Sequence, residues 1–191
     1  MSVPEPRTRV VLVPLKRFDS AKSRLRSALS DNEVTELTMR LARGVLEAAR
    51  PLPTVVVCDD EEVANFARGC RAEVFLSSDQ SLNGSVRDAY YDIEGYDQFI
   101  IVHGDLSRPK GLGSFEPAAG VTIVTDHHHT GTNVLSLPAG LDFHFSYGKD
   151  SARLHQLEAQ RLGVPLKVIP DSPWRFDVDE PKDLTEGLDS I

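Results

Sequence analysis

The sequence predicts an α/β fold in which a mainly parallel sheet carries helices on both sides. Three observations predict it. Short β-branched apolar runs recur along the chain, helical patterns with recognisable starts lie between them, and the connections are short. The apolar runs are nearly continuous rather than alternating, as suits central strands covered on both faces. The 191 residues fit one domain, residues 1–191, with a sizeable core.

The first run, Arg9–Leu15, should end near Pro14, because proline cannot donate to a ladder. Ser30 followed by Glu33 forms a capping-box pattern, and Val34, Leu37, Leu41, Val45 and Ala48 make an apolar stripe at helical spacing. Together they predict a helix to about Ala49. Thr54–Cys58 reads as the second strand; Asp59 and Glu62 then repeat the capping pattern before a shorter helix. Glu73–Leu76, Gln98–Val102 and Val121–Thr125 are further strands, and Ser85–Ile93 and Asp150–Leu162 further helices. Pro181 opens a last helix. Gly131 to Tyr147 breaks the rhythm. Its short runs NVLSL and FHFSY predict an insertion or an antiparallel edge, where an acceptor pocket could form.

Composition excludes several classes. Hydrophobic residues at 40% and charged residues at 26% give an ordinary globular balance. A formal net charge of −8 disfavours nonspecific binding to nucleic acid or an anionic membrane, so any phosphate site must be a local basic pocket. No apolar run approaches the ~18 residues of a membrane span, and MSVPEPRTR lacks the apolar core of a signal peptide, which predicts a cytoplasmic protein. The two cysteines, Cys58 and Cys70, stand at no metal-ligand spacing; Cys58 ends an apolar run and reads as packing. His127–His129 read as a pocket edge rather than a zinc site, because neighbouring side chains on an extended segment point alternately.

Three segments carry candidate chemistry. In VPLKRFDSAKSRL a buried strand ends at Leu15 and a helix is expected to begin near Ser20. Lys16, Arg17, Lys22 and Arg24 therefore crowd the strand's carboxyl end and the first turn of that helix. Cations there oppose the helix dipole by roughly 0.3–1 kcal/mol each when exposed, an arrangement that makes sense if a polyanion sits on it. Neither a Walker A nor a GxGxxG pattern occurs, so P-loop and dinucleotide readings fall away. In IIVHGDL, Asp105 stands just past an apolar strand, where a carboxylate can hold a hard cation against phosphates. In RFDVDEPKDL, Asp177 and Asp179 alternate along an extended segment and share a side. Carboxylates facing a basic loop are what metal-assisted phosphoryl chemistry requires.

PLKRFDSAKSRL, HGDL, GTN, YGKDSARLH and DVDEPKDL together resemble the 2-phospho-L-lactate and phosphoenolpyruvate guanylyltransferases of coenzyme F-420 biosynthesis. The resemblance runs from about Val10 to Leu188. It implies a three-layer α/β/α nucleotidyltransferase fold, GT-A-like and Rossmann-like, with a mostly parallel mixed sheet. It also implies transfer of GMP from GTP to a phosphorylated C3 acid, with release of pyrophosphate and with Mg²⁺ as cofactor. Lys16, Lys22 and Arg24 match the family's triphosphate loop. Asp105 matches its metal-binding carboxylate, and Asp177 or Asp179 the second one, with Asp177 favoured. Thr132 and Asn133 of GTN, with Gly148 and Ser151 of YGKDS, match the acceptor pocket, and Leu82 and Asn83 the segment near the nucleoside. The family commonly continues HGDLP; here Ser107 stands in the proline's place, so an altered loop is expected around an intact Asp105.

The acceptor's phosphate is already ionised near neutral pH, so no general base is expected, and catalysis should be positioning and charge neutralisation. Backbone N–H groups from Gly148 to Ser151, at the start of a helix, are expected to grip the acceptor's phosphate or carboxylate. Phosphoenolpyruvate is favoured over 2-phospho-L-lactate, with 3-phosphoglycerate left open. A sister transferase using another nucleotide, and a noncatalytic GTP-binding module, are the competing readings. The expected partners are GTP and the small acid, with no nucleic acid and no membrane, and a homodimer is compatible.

Overall fold

The computed structural model describes residues 8–19 and 22–184. Among them are seven strands: β1 (Arg9–Pro14), β2 (Thr54–Cys58), β3 (Glu73–Leu76), β4 (Gln98–Val102), β5 (Val121–Thr125), β6 (Thr132–Pro138) and β7 (Leu166–Ile169). Four α-helices join them: α1 (Asp31–Ala48), α2 (Glu61–Gly69), α3 (Leu82–Asp92) and α4 (Ser151–Arg161). One sheet holds all seven strands in the order β3-β2-β1-β4-β6-β5-β7. β1 is parallel to both β2 and β4, while β6 runs antiparallel to β4 and β5. No helix among the described residues is long and apolar enough to cross a membrane.

Strand residues alternate between two cores, which is why the strands read as continuously apolar. Val11 and Val13 of β1 join Ala42, Val45 and Leu46 of α1 and Val63, Ala64 and Ala67 of α2. Val10 and Leu12 face the other way, towards Val86, Ala89 and Tyr90 of α3 and Ala159 of α4. A third cluster, Leu25, Val34, Leu37, Leu41 and Val178, ties the segment after β1 to α1 and to the 177–179 segment. That cluster holds the candidate basic turn and the second pair of aspartates together.

The chain turns outward between β1 and β4. From β1 it moves to β2 and β3 on one side, and β4 lies on the other. Such a reversal opens a crevice at the carboxyl ends of the strands. Gly104 lies in this crevice. A Cβ there would stand 2.3 Å from Leu15 Cδ2, so a larger residue would press on the end of β1.

The capping box is present: Glu33 N donates to Ser30 Oγ at 3.4 Å and Ser30 N to Glu33 Oε2 at 2.8 Å. Other expectations need correction. α2 is capped by Asp60, not Asp59; Asp60 Oδ1 accepts from Glu62 N and Val63 N, while Asp59 turns to Lys16. α3 starts at Leu82 rather than Ser85, because Ser81 Oγ accepts from Gly84 N at 3.0 Å. The start expected near Ser20 lies outside the described residues. A 3₁₀ turn, Ser23–Ser27, follows it, and α1 begins only at Asp31. The helix expected from Pro181 falls mostly outside the described residues.

The 131–147 stretch departs most. NVLSL is not an edge; within β6 it is fully buried inside the sheet and forms a hairpin with β5. FHFSY is not a strand. It buries Phe143, Phe145 and Tyr147 alternately, as a strand would, but helix side chains take its backbone N–H groups. His144 N donates to Glu158 Oε1, Ser146 N to His155 Nε2 and Tyr147 N to Asn83 Oδ1. β7 was not anticipated; it is a four-residue edge strand parallel to β5.

Ser30→Ala should lower stability by about 0.5–2 kcal/mol, the usual cost of a lost N-cap. Urea denaturation followed by circular dichroism would read this as a lower midpoint with an unchanged slope.

Candidate active site

The crevice between β1 and β4 gathers the charged residues. Lys22 follows β1, and its ammonium lies 2.8 Å from Asp105 Oδ2 and 2.9 Å from Asp179 Oδ1. Its side chain is only 6% exposed, so this cation is held by its partners rather than by water. Lys22 adopts φ 52°, a left-handed conformation costing roughly 1–2 kcal/mol for a residue with a Cβ. Asp105 sits past β4 on the central strand's carboxyl end. The 177–179 segment runs antiparallel beside it: Val178 N donates to Asp105 O at 3.1 Å, and Leu106 and Asp177 form a single bridge. Ser107, in the position of the family's proline, donates its N–H to Phe176 O at 2.9 Å. A proline could not make that bond.

The carboxylates are not equivalent. Burial acts to raise Asp105, but the Lys22 charge, His103 and hydrogen bonding outweigh it and hold the carboxyl below its ordinary value. Burial likewise acts to lower Lys22, and Asp105 and Asp179 overcome it to hold the ammonium above its ordinary value. Asp177 moves the other way. Burial raises it first, and the like charges of Asp105 and Asp179 add to that. Its neighbours are Asn133 Nδ2, which donates to Oδ1 at 3.2 Å, and His127 Nδ1 at 3.8 Å.

Two adjoining cavities meet here. One, of about 340 Å³, is lined by Lys16, Lys22, Leu82, Asp105 and Asp179 among others. The second, of about 730 Å³, is lined by Arg24, Thr132, Asn133, Gly148, Ser151 and Asp177, and by His127 and His128. Leu82, His103 and Asp179 belong to both. Every residue expected at the site lines one cavity or the other, apart from Arg17, which pairs with Asp19, and Asn83. That side chain instead clamps the backbone of Tyr147 on both sides, accepting from its N at 2.6 Å and donating to its O at 3.3 Å.

Several side chains are occupied differently from expectation. Asn133 is 2% exposed and spends its amide nitrogen on Trp174 O and Asp177, so it orients Asp177 rather than reaching for an acceptor. Thr132 Oγ1 stands 3.0 Å from His155 Nδ1. Because His155 Nε2 accepts from Ser146 N, the network assigns its proton to Nδ1, which donates to Thr132. Burial pushes His155 down to about 4, which keeps this ring neutral. Lys16 Nζ reaches Asp59 Oδ2 at 3.3 Å and donates to Gln80 O; Arg24 pairs with Glu180 at 3.3 Å. At the start of α4, Gly148 has φ 116° and Asp150 φ 59°, and the Ser151 and Ala152 N–H groups are already bonded to Gly148 O and Thr130 O. Fewer backbone donors face the cavity there than expected.

His103 lines both cavities, although the sequence assigned it no role. It was quoted within HGDL without a role, and its position one residue before Gly104–Asp105 was the available signal. Among the described residues no group of three or more His, Cys, Asp or Glu is arranged to hold a metal ion. Asp105 Oδ1 is nevertheless buried without a protein partner, and Lys22 offsets only one charge of Asp105, Asp177 and Asp179. Mg²⁺ commonly takes one or two carboxylates and fills its shell from phosphates and water, so an acidic rim with an open oxygen fits a divalent cation.

A mostly parallel sheet opening its carboxyl ends onto a lysine, facing aspartates and a double cavity defines a nucleotidyltransferase. Residues 9–188 match the family of guanylyl transferases described as CofC like, and the chain belongs to that family. The phosphoenolpyruvate guanylyltransferase of Sphaerobacter thermophilus is 31% identical over 190 residues, spanning 94% of this chain and 92% of its own. The 2-phospho-L-lactate guanylyltransferase of Methanocaldococcus vulcanius is 26% identical, spanning 93% and 83%. A nucleotidyl transferase from Methanothermobacter thermautotroptrophicus shares the fold, with a TM-score of 0.62 at 15% identity over 94% of this chain and 95% of its own. Nucleotidyltransferases as a class suggest a divalent metal.

Asp177→Asn should stabilise the metal-free protein near pH 7. A carboxyl whose folded pKa is raised favours the protonated form in the folded state. Its contribution is therefore best at low pH and is lost as pH rises from the unfolded to the folded value. Thermal denaturation in chelator should show the variant's advantage at neutral pH shrinking as wild-type Asp177 protonates on acidification.

Proposed function

We propose that this protein transfers the guanylyl group of GTP to a small phosphorylated C3 acid and releases pyrophosphate. Phosphoenolpyruvate is the favoured acceptor, ahead of 2-phospho-L-lactate. The observation that carries the proposal is the junction of Lys22, Asp105 and Asp179 at the crevice between β1 and β4, opening directly into the second cavity. Membership of the guanylyl transferase family and the names of its relatives support the nucleotide and the acceptor class. The family resemblance gives the reaction its place in coenzyme F-420 biosynthesis.

The smaller cavity suits the triphosphate, with Lys16 and Lys22 on its wall, and the larger suits the acceptor, with Thr132, Gly148 and Ser151 on its wall. Lys16 and Lys22 would stabilise the departing pyrophosphate in the smaller cavity, while Arg24 lies on the larger cavity's wall, paired with Glu180. An acceptor phosphate oxygen forms the new P–O bond at the α-phosphorus as the bond to pyrophosphate breaks. That oxygen carries charge already, so no side chain need take a proton from it. Bound Mg²⁺, held by Asp105 and Asp177, would supply charge neutralisation at the phosphates. Asp105 keeps Oδ1 without a protein partner despite its bond to Lys22, and Asp177 is favoured over Asp179 because Lys22 holds Asp179 Oδ1. Asn133 fixes the carboxylate of Asp177, and Lys22 fixes that of Asp105.

Mass spectrometry after incubation with GTP and Mg²⁺ should show the GMP-linked acid with phosphoenolpyruvate or 2-phospho-L-lactate. A product formed only with CTP would overturn the guanylyl assignment. Asp105→Asn should cut pyrophosphate release by at least ~100-fold with an unchanged circular dichroism spectrum. Ser151→Ala should mainly raise the KM for the acid, by roughly 10-fold, the loss of about one hydrogen bond.

A further inference from the structure

Six buried side-chain atoms have no hydrogen-bond partner among the described residues, and three of them belong to the walls of these two cavities: Asp105 Oδ1, His103 Nε2 and His127 Nδ1. A buried polar atom left unpaired costs about 1–3 kcal/mol, so each calls for a physical reason. Asp105 Oδ1 has one in the cation its site fits. His127 lines only the larger cavity, and its Nδ1 lies 3.8 Å from Asp177. His103 is placed differently. It stands at the end of the central strand β4, between the two cavities, and it lines both.

Both the backbone and the ring of His103 are held. His103 N donates to Asn133 O at 3.0 Å, which extends the pairing of β4 with β6 by one residue. Its imidazole packs against Tyr147 at a centroid distance of 5.3 Å, and Tyr147 is in turn held by Asn83. Leu82 and Asp179 also line both cavities, but Leu82 has no polar side-chain atom and an ionised Asp179 can only accept. Of the residues shared by the two cavities, His103 alone brings a side-chain donor.

We propose that His103 is a catalytic residue whose Nε2–H donates to a phosphoryl oxygen where nucleotide and acceptor meet. This rests on the guanylyl-transfer reading above. In that reaction the acceptor phosphate oxygen bonds to the α-phosphorus, the α–β bridging bond breaks, and its electron pair leaves with pyrophosphate. Neither step moves a proton. The histidine therefore serves as a fixed donor to the charge gathering on the phosphoryl oxygens, not as an acid or a base. Its missing partner is the substrate itself.

The test compares wild type, His103→Phe and His103→Gln in pyrophosphate release with GTP, Mg²⁺ and each acid. Phenylalanine keeps the ring and its packing on Tyr147 but removes the donor; glutamine offers an amide N–H near the position of Nε2. His103→Phe should lower kcat by about 100-fold or more, the usual loss for one transition-state donor. His103→Gln should recover at least ~10-fold of that, a gain in the range of a hydrogen bond to a charged group. GTP binding by titration calorimetry and the melting temperature should stay near wild type in both. A His103→Phe enzyme as fast as wild type would overturn the proposal. So would a rate loss that glutamine does not relieve and that tracks a fall in melting temperature. A wild type inactive with every acid would instead sink the transfer reading beneath it.

Discussion

The Lys22 ammonium lies between Asp105 and Asp179, almost out of water, and the site is built around that placement. A buried ammonium without counter-charges would cost several kcal/mol, and the aspartates without a cation would repel one another across the same crevice. Each therefore fixes the other, although they come from three distant parts of the chain. The backbone bond from Val178 to Asp105 O and the packing of Leu25 and Val178 on α1 make the meeting repeatable. Lys22 neutralises only part of the acidic rim. The remainder leaves Asp177 under strain, with its proton affinity raised, and leaves an open oxygen on Asp105. A rim with surplus negative charge is poor for stability and well suited to a divalent cation that arrives with a nucleotide.

The reversed strand β6 serves the same site. Because it runs against β4 and β5, its first residues lie at the carboxyl ends of the parallel strands. That brings Thr132 and Asn133 beside Asp105 and Asp177, although their hydroxyl and amide are mostly spent on internal bonds. Thr132 holds His155, and Asn133 holds Asp177. The larger cavity is in this sense lined by residues that are themselves braced. Rigid support of this kind is what positioning catalysis needs, since small displacements of a phosphate lose much of the advantage.

Much of this was legible beforehand. Continuous apolar runs identified β1, β2, β4 and β5, and the Ser30–Glu33 pair located α1 correctly because capping is a local interaction. Asp60 rather than Asp59 caps α2 for a reason outside local sequence: Lys16 engages Asp59. FHFSY carried the alternation of a strand and buries its aromatic residues as one. Side chains of α3 and α4 pair its backbone, and no periodicity can announce that. For the same reason His103 could be quoted in a motif yet given no role, since a missing partner is visible only in three dimensions.

Sequence alone determined the alternation of strands and helices and the family, and it singled out the aspartates and basic residues as candidates. These are properties of local pattern and motif, written in residues close together in the chain. Tertiary structure decided which of those charges meet, that Lys22 rather than Lys16 bridges the aspartates, that Asn133 serves Asp177, and that β6 lies inside the sheet. Each of these depends on contacts between residues tens to more than a hundred positions apart, where burial and pairing set the energies. Local preference carries no record of such contacts.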